Sequence, residues 1–143
     1  MKKHRPGESG AELIEFALVF MILILMVLGI VDFAFSFHHQ EVVTNAAREG
    51  ARVAVLPGYN AADIQNRVSS YITASGLPTS GGNPSVTVTP TTVPHTGGTT
   101  WPATTVNVSY SHDYLFLGAF LGGGFNSVSM GAQATMRHEL SGP

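Results

Sequence analysis

The sequence predicts an α+β fold: a long N-terminal helix, transmembrane in its first half and amphipathic in its second, packed on a small antiparallel β-sheet head with one additional helix. Three observations carry this. Residues 16–37 are 22 positions with a single carboxylate, Asp32. After His39, small and apolar residues recur at spacings of three and four as far as Ala54. Beyond that, alternation of period two appears at residues 85–89, 104–110 and 128–136, the pattern of half-buried strands.

Composition narrows the possibilities. The chain has 143 residues, enough for one ordinary domain or a small domain with an appendage. Charged residues make up 11%, less than half of the roughly 25% usual in soluble domains, so much of the chain is not designed to face water. A net charge of −2 argues against a basic nucleic-acid binder. The absence of cysteine excludes disulfides, thiolate zinc sites, Fe–S clusters and cysteine nucleophiles.

The apolar run comes first along the chain. As a helix it meets the roughly 20 residues that a bilayer core requires, and a soluble helix is rarely apolar on all faces for so long. Lys2, Lys3 and Arg5 precede it, which predicts a cytoplasmic N-terminus and an extracytoplasmic head. A cleaved secretory signal is the rival reading. Ala34-Phe35-Ser36 is a weak A-x-A-like site, and bulky Phe33, Phe35 and Phe37 crowd it. The predicted organisation is a basic leader at 1–10, a helix at 11–56 that spans the membrane over about 14–37, and a head at 57–143. That helix would be about 69 Å long. Pro57 disfavours helix in the residue before it and sets the end.

The edge of the span is unusual for a plain anchor. In Gly10-Ala11-Glu12-Leu13-Ile14-Glu15-Phe16, Glu12 suits the first turn of a helix, where the macrodipole favours acids. Glu15 lies where hydrocarbon begins, and a carboxylate there is costly without a partner. This pattern resembles the class III signal of type IV pilins, G-x-x-x-x-E-[F/Y]. The resemblance implies cleavage by a membrane prepilin peptidase between Gly10 and Ala11. Glu15 becomes the fifth mature residue, and Phe16 takes the aromatic position after it. Cleavage would create an α-ammonium at Ala11. In a stack of subunits that ammonium can meet a neighbour's Glu15, two groups each costly alone in apolar surroundings. Ala11 stands where type IVa pilins have Phe, which puts N-methylation in doubt.

The amphipathic half begins after His39. Ala46, Gly50 and Ala54 form a stripe of small residues, a natural face for helix packing, with Glu41, Arg48, Glu49 and Arg52 mainly on the other side. Glu49 and Arg52 have the i,i+3 spacing of an ion pair; on spacing alone, Arg48 and Arg52 read as a solvated face. The run Asn45-Ala46-Ala47-Arg48-Glu49-Gly50-Ala51-Arg52 resembles the TadE-like pseudopilins of the tight-adherence (Flp, type IVb) systems. Major Flp pilins have little beyond the helix, whereas TadE-like proteins add a head of about this size. The resemblance covers residues 10 to about 55 and does not separate TadE from TadF- or TadG-like relatives.

In the head, Asn60 is the expected N-cap of a helix over 61–74, with Ile64, Val68, Tyr71 and Ile72 on its apolar face. Residues 75–105 include 23 Thr, Ser, Gly or Pro among 31, so loops are expected around the strands. Pro90 and Pro94 limit the first strand to a short or edge position, and residues 91–102 are expected as a long exposed hairpin loop ending near Trp101. Val106, Val108 and Tyr110 share one face of the second strand. Residues 114–125 are apolar and glycine-rich, and Gly122-Gly123-Gly124 argues against regular structure there. The first reading of 114–121 is a loop tucked over the sheet as core; the second is an exposed contact patch. Val128, Met130, Ala132, Ala134 and Met136 make the last strand, closing an antiparallel meander against the small-residue stripe.

Enzyme chemistry finds little support. No H-E-x-x-H, G-x-S-x-G, P-loop or dinucleotide fingerprint occurs, so no catalytic residue, metal ligand or cofactor is assigned. His112-Asp113 with the distant His138 has nothing to fix its geometry. His38-His39 reads as part of the outer interface, and so does Asp32, with a contact to another subunit as the lesser alternative. Asn107-Val108-Ser109 is a sequon on an expected strand.

Two functions remain. The first is a pseudopilin or minor pilin that takes part in tight-adherence pilus assembly, adhesion or secretion. It resides in the bacterial inner membrane as a single-pass protein and at the cell-surface pilus. The resemblance implies as partners the membrane itself, a prepilin peptidase, a major Flp pilin, other minor pilins, and an inner-membrane assembly platform with its ATPase; no nucleic acid is implied. The second is a binding or enzymatic domain held outside by an uncleaved anchor. Removing the leader takes away three cations and Glu8, which changes the formal net charge from −2 to −4.

Overall fold

The computed structural model describes residues 8–78, 84–122 and 127–138. Lys2, Lys3 and Arg5, the end of the glycine run at 123–124 and Phe125 lie outside them. Helix α1 (Glu8–Ala54) has 47 residues, about 70 Å at 1.5 Å per residue. It already includes Gly10, so the backbone does not change where the leader was expected to give way to helix. It stops two residues short of the expected end. Leu56 N–H closes a turn on the Val53 carbonyl at 3.0 Å, and Gly58 follows at φ 88°.

Helix α2 (Ala61–Ala74) begins as its sequence suggests. The Asn60 Oδ1 accepts the amides of Ala62 and Asp63 at 2.8 and 3.1 Å, and the Asp63 carboxylate accepts the Asn60 amide at 3.0 Å. This reciprocal capping box satisfies donors that a helix start leaves unpaired. Ile64, Val68 and Ile72 are buried.

Strands β1 (Ser85–Pro94), β2 (Thr100–Asp113) and β3 (Ser127–Arg137) form an antiparallel meander in that order. β1 is longer than expected and runs through both prolines, so the long loop expected at 91–102 is a short turn instead. Register explains why. Pro90 faces Thr104, Thr92 faces Pro102, and Pro94 faces Thr100, so all three prolines fall on one parity of the ladder. The Pro102 carbonyl accepts the His138 amide on the β3 side at 2.9 Å. A strand residue points its N and C=O the same way, so at this parity the nitrogens of β1 face the open edge, where no donor is missed. The turn closes with the His95 amide on the Thr99 carbonyl at 2.8 Å, and Gly97 and Gly98 take φ 91° and 80°, a region open to glycine.

The head packs on the C-terminal half of α1. Val43, Ala46, Ala47 and Ala51 of α1 meet Ile64, Val68 and Ile72 of α2 and Val106, Val108 and Tyr110 of β2 in one core. Gly50 sits where three elements meet. A Cβ there would lie 2.6 Å from Val68 Cγ2 and 3.1 Å from Val106 Cγ1. Only a residue without a side chain allows α1, α2 and β2 to come this close.

There is also a second short helix in the head, α3 (Leu117–Leu121), where no regular structure was expected. It ends at Gly122, φ 72°. The segment does not tuck over the sheet as core: Leu115 and Phe120 are 63% and 53% exposed, and its inner side meets α1 instead.

Candidate functional site

Two parts of α1 carry the features singled out in the sequence. The first is its N-terminal stretch. Gly10, Ala11, Glu12, Glu15 and Phe16 are all exposed, and the Phe16 ring stacks on Phe20 at 5.7 Å. Among the described residues, no other element covers residues 10–23. α1 is long and apolar enough to cross a membrane.

The second part is the outer end of the apolar run, where sequence reasoning missed the main interaction. Asp32 does not reach an aqueous interface; it is fully buried. Its Oδ1 accepts the Leu115 amide at 3.1 Å and the Phe116 amide at 3.3 Å. Its Oδ2 accepts Phe116 at 3.0 Å and Leu117 at 2.7 Å. These are the amides that lead into α3 and its first one, Leu117; α3 has no local side-chain cap of its own. A carboxylate on several backbone N–H groups is a charge-assisted arrangement, and the helix start adds a favourable dipole. Beside it, a Cβ at Gly29 would lie 3.9 Å from Leu117 Cδ2, an ordinary contact, so α3 packs beside this turn of α1 without requiring glycine there.

Above Asp32, His39 is buried rather than interfacial. Its ring meets His112 edge-on at 4.3 Å and Tyr110 edge-on at 6.0 Å. Burial pushes the His39 imidazole below its ordinary value, and the neighbouring His112 and His38 push it further. His39 Nδ1 and His112 Nε2 have no hydrogen-bond partner among the described residues. A cavity of about 310 Å³ lies alongside, lined by Phe35, His39, Leu77, His112 and Leu115 among others. Two imidazoles are too few for a closed metal site, and among the described residues no group of three His, Asp or Glu is placed to hold a metal. His138 does not join His112. It bonds the Thr104 hydroxyl at 2.8 Å, at the other end of the β2–β3 ladder.

The amphipathic half of α1 holds the head. Ala46 and Ala54 are buried, as is Gly50 between them. On the solvent side Glu49 binds two arginines. Arg52 donates to it at 2.9 and 2.8 Å, and Arg67 of α2 donates at 3.1 and 2.8 Å. The hydrogen bonds from Arg52 and then Arg67 hold the Glu49 carboxyl down at about 2. Arg48 turns to Asn45 at 3.5 Å. Spacing suggested the Arg52 pair, but nothing in the local sequence points to Arg67, 18 residues away on another helix.

A long N-terminal helix with a three-stranded antiparallel sheet on its C-terminal half makes an α+β pilin-like fold. Residues 10–52, within the long helix, match the model of the family described as TadE-like protein. Neither a curated protein nor a solved structure matches the chain.

Proposed function

We propose that the chain is a pseudopilin, or minor pilin, of a tight-adherence type IV pilus system. A prepilin peptidase cuts it after Gly10, and it then takes part in assembly of the filament. The observation that supports this best is the uncovered first half of α1, within the TadE-like segment, with Glu15 at its start. A free apolar helix serves first as a single-pass anchor and then as the packing surface among subunits. The basic leader keeps the N-terminus cytoplasmic, and its removal eliminates the charges that hold the helix in that orientation.

In this reading Glu15 is an assembly residue. It pairs with the new Ala11 ammonium of a neighbour and sets the axial register, because losing either partner leaves the other charge unpaired in apolar surroundings. Phe16 beside it presents an aromatic ring to the same neighbour. Ala46, Gly50 and Ala54 serve the head of the same subunit. A major Flp pilin, other minor pilins and the inner-membrane platform with its ATPase are the partners this role requires.

The test is intact mass and N-terminal sequencing of the protein from its own membranes, beside a Gly10→Ala variant. The expected result is a mature chain starting at Ala11, absent from the variant. A retained N-terminus in cells with an active prepilin peptidase would make the helix an ordinary anchor for an extracytoplasmic domain. Glu15→Ala should then separate the steps, leaving cleavage intact and abolishing recovery of the protein in sheared filaments.

A further inference from the structure

We propose that α3 and the residues leading into it are a lipid-inserted element, held by Asp32 in the acyl region of the leaflet on the head's side. The inference rests on the reading of α1 as a membrane span. The tie lies inside the apolar run. Asp32 is five residues before Phe37, about 7.5 Å along the helix axis, and Gly29 is about 12 Å before it. Whatever medium surrounds that part of α1 therefore also surrounds α3.

The surface of the element suits that medium. Residues 114–122 contain no charged side chain. Leu115 and Phe120 are 63% and 53% exposed, comparable with Leu13 at 69% and Met26 at 65% in the span itself. The exposed apolar residues of this segment thus lie beside the apolar surface of α1, to which Asp32 ties them. In water this would be an uncovered patch beside the span; in lipid it is an extension of it.

The backbone is the second argument. Backbone polar groups at membrane depth have to be satisfied within the protein. Here the amides of Leu115, Phe116 and Leu117 go to Asp32. The amides of Phe120 and Gly122 go to the carbonyls of Phe116 and Gly118 at 3.1 and 3.2 Å. The Asp32 carboxylate, expensive in hydrocarbon by itself, is covered by the amides it satisfies. Two liabilities in a lipid phase cancel each other, and this provision matters most if the element sits in lipid.

The experiment uses the full chain in phosphatidylcholine vesicles with a Trp101→Phe background. Two single probes are introduced, Phe120→Trp on α3 and Met26→Trp in mid-span. Emission is compared in plain lipid, in lipid brominated near the carbonyl end of the acyl chains, and in lipid brominated near the methyl end. The Phe120→Trp probe should lose more emission to carbonyl-end bromines than to methyl-end bromines, and the Met26→Trp probe the reverse. Quenching at Met26→Trp with none at Phe120→Trp overturns the inference and leaves the span intact. No quenching at either probe overturns the span reading first. An unquenched Phe120→Trp whose emission shifts blue as protein density rises identifies a second copy as the occupant, and this also overturns the inference.

Discussion

The Leu117 amide donates to Asp32 Oδ2 at 2.7 Å across 85 residues of chain. It is the shortest of the bonds that tie the head to the apolar half of α1, and the carboxylate that makes it is fully buried. An acid within a hydrophobic run is thus a helix cap supplied from elsewhere in the fold.

Replacing that acid should release α3. Asp32→Ala leaves three amides without an acceptor in apolar surroundings, at a cost of about 2 kcal/mol, which corresponds to roughly thirtyfold faster local opening. Hydrogen exchange on the full chain in detergent micelles checks this at Leu115, Phe116 and Leu117. Unchanged protection in the variant would show that the tie does not hold the segment.

Gly50 should not tolerate even a methyl group. The contact of 2.6 Å to Val68 Cγ2 means that Val68 must shift for Gly50→Ala to fold, with an expected loss of about 1–3 kcal/mol typical of overpacking. Helix propensity favours the substitution by up to about 1 kcal/mol, so a net loss is the informative sign. Urea unfolding of the head signal checks it, and a gain in midpoint would show that the close approach has slack.

Glu49 gives the head a dependence on acid. Its folded pKa of about 2 lies below the ordinary 4.5. Its contribution is therefore fully present above about pH 4.5 and is lost as pH falls towards 2. The arginines are more than half exposed, so solvent screens both pairs and the contribution is small. Between pH 5 and 2, the midpoint difference between the native chain and Glu49→Gln should shrink. A constant difference would show that the carboxylate charge is irrelevant.

His39 acts in a higher pH window. Its pKa is lowered in the fold, so the unfolded chain takes up the proton first. The stability tied to the neutral ring is present above about pH 6.5 and is lost progressively below it. Tyr110 and His112 on β2 and His38 and Phe35 on α1 all face this ring. His39→Phe should flatten the dependence between about pH 7 and 5. An unchanged slope would show that His39 does not carry this dependence.

The elements readable in the sequence were those governed by local rules. The α2 boundaries follow from Asn60 and the turn at Gly76, and Val106, Val108 and Tyr110 declare their face by alternation. What was not legible depends on partners far along the chain. Pro90 and Pro94 looked like strand breakers because nothing local shows which way their nitrogens face; the register with β2 decides that. α3 was hidden because its cap is Asp32. Backbone amides carry no side-chain signature, so an acid in an apolar run does not name its partner. The expectation of core at 114–121 failed for the same reason: the run is apolar, but its neighbours are the long helix and the surroundings rather than the sheet. His39 read as interfacial because its proximity to His112 exists only once β2 crosses α1.

The Asp32 tie also has a mechanical consequence. The head grips α1 at Gly50 and again at Asp32, 18 residues apart, about 27 Å along the axis. A rod held at one point can swivel and flex beneath its load, whereas a rod clamped at two points this far apart resists both. Torque or tension applied to the lower helix is therefore transmitted to the sheet, and the azimuth of the head is set by the rotation of the helix below it.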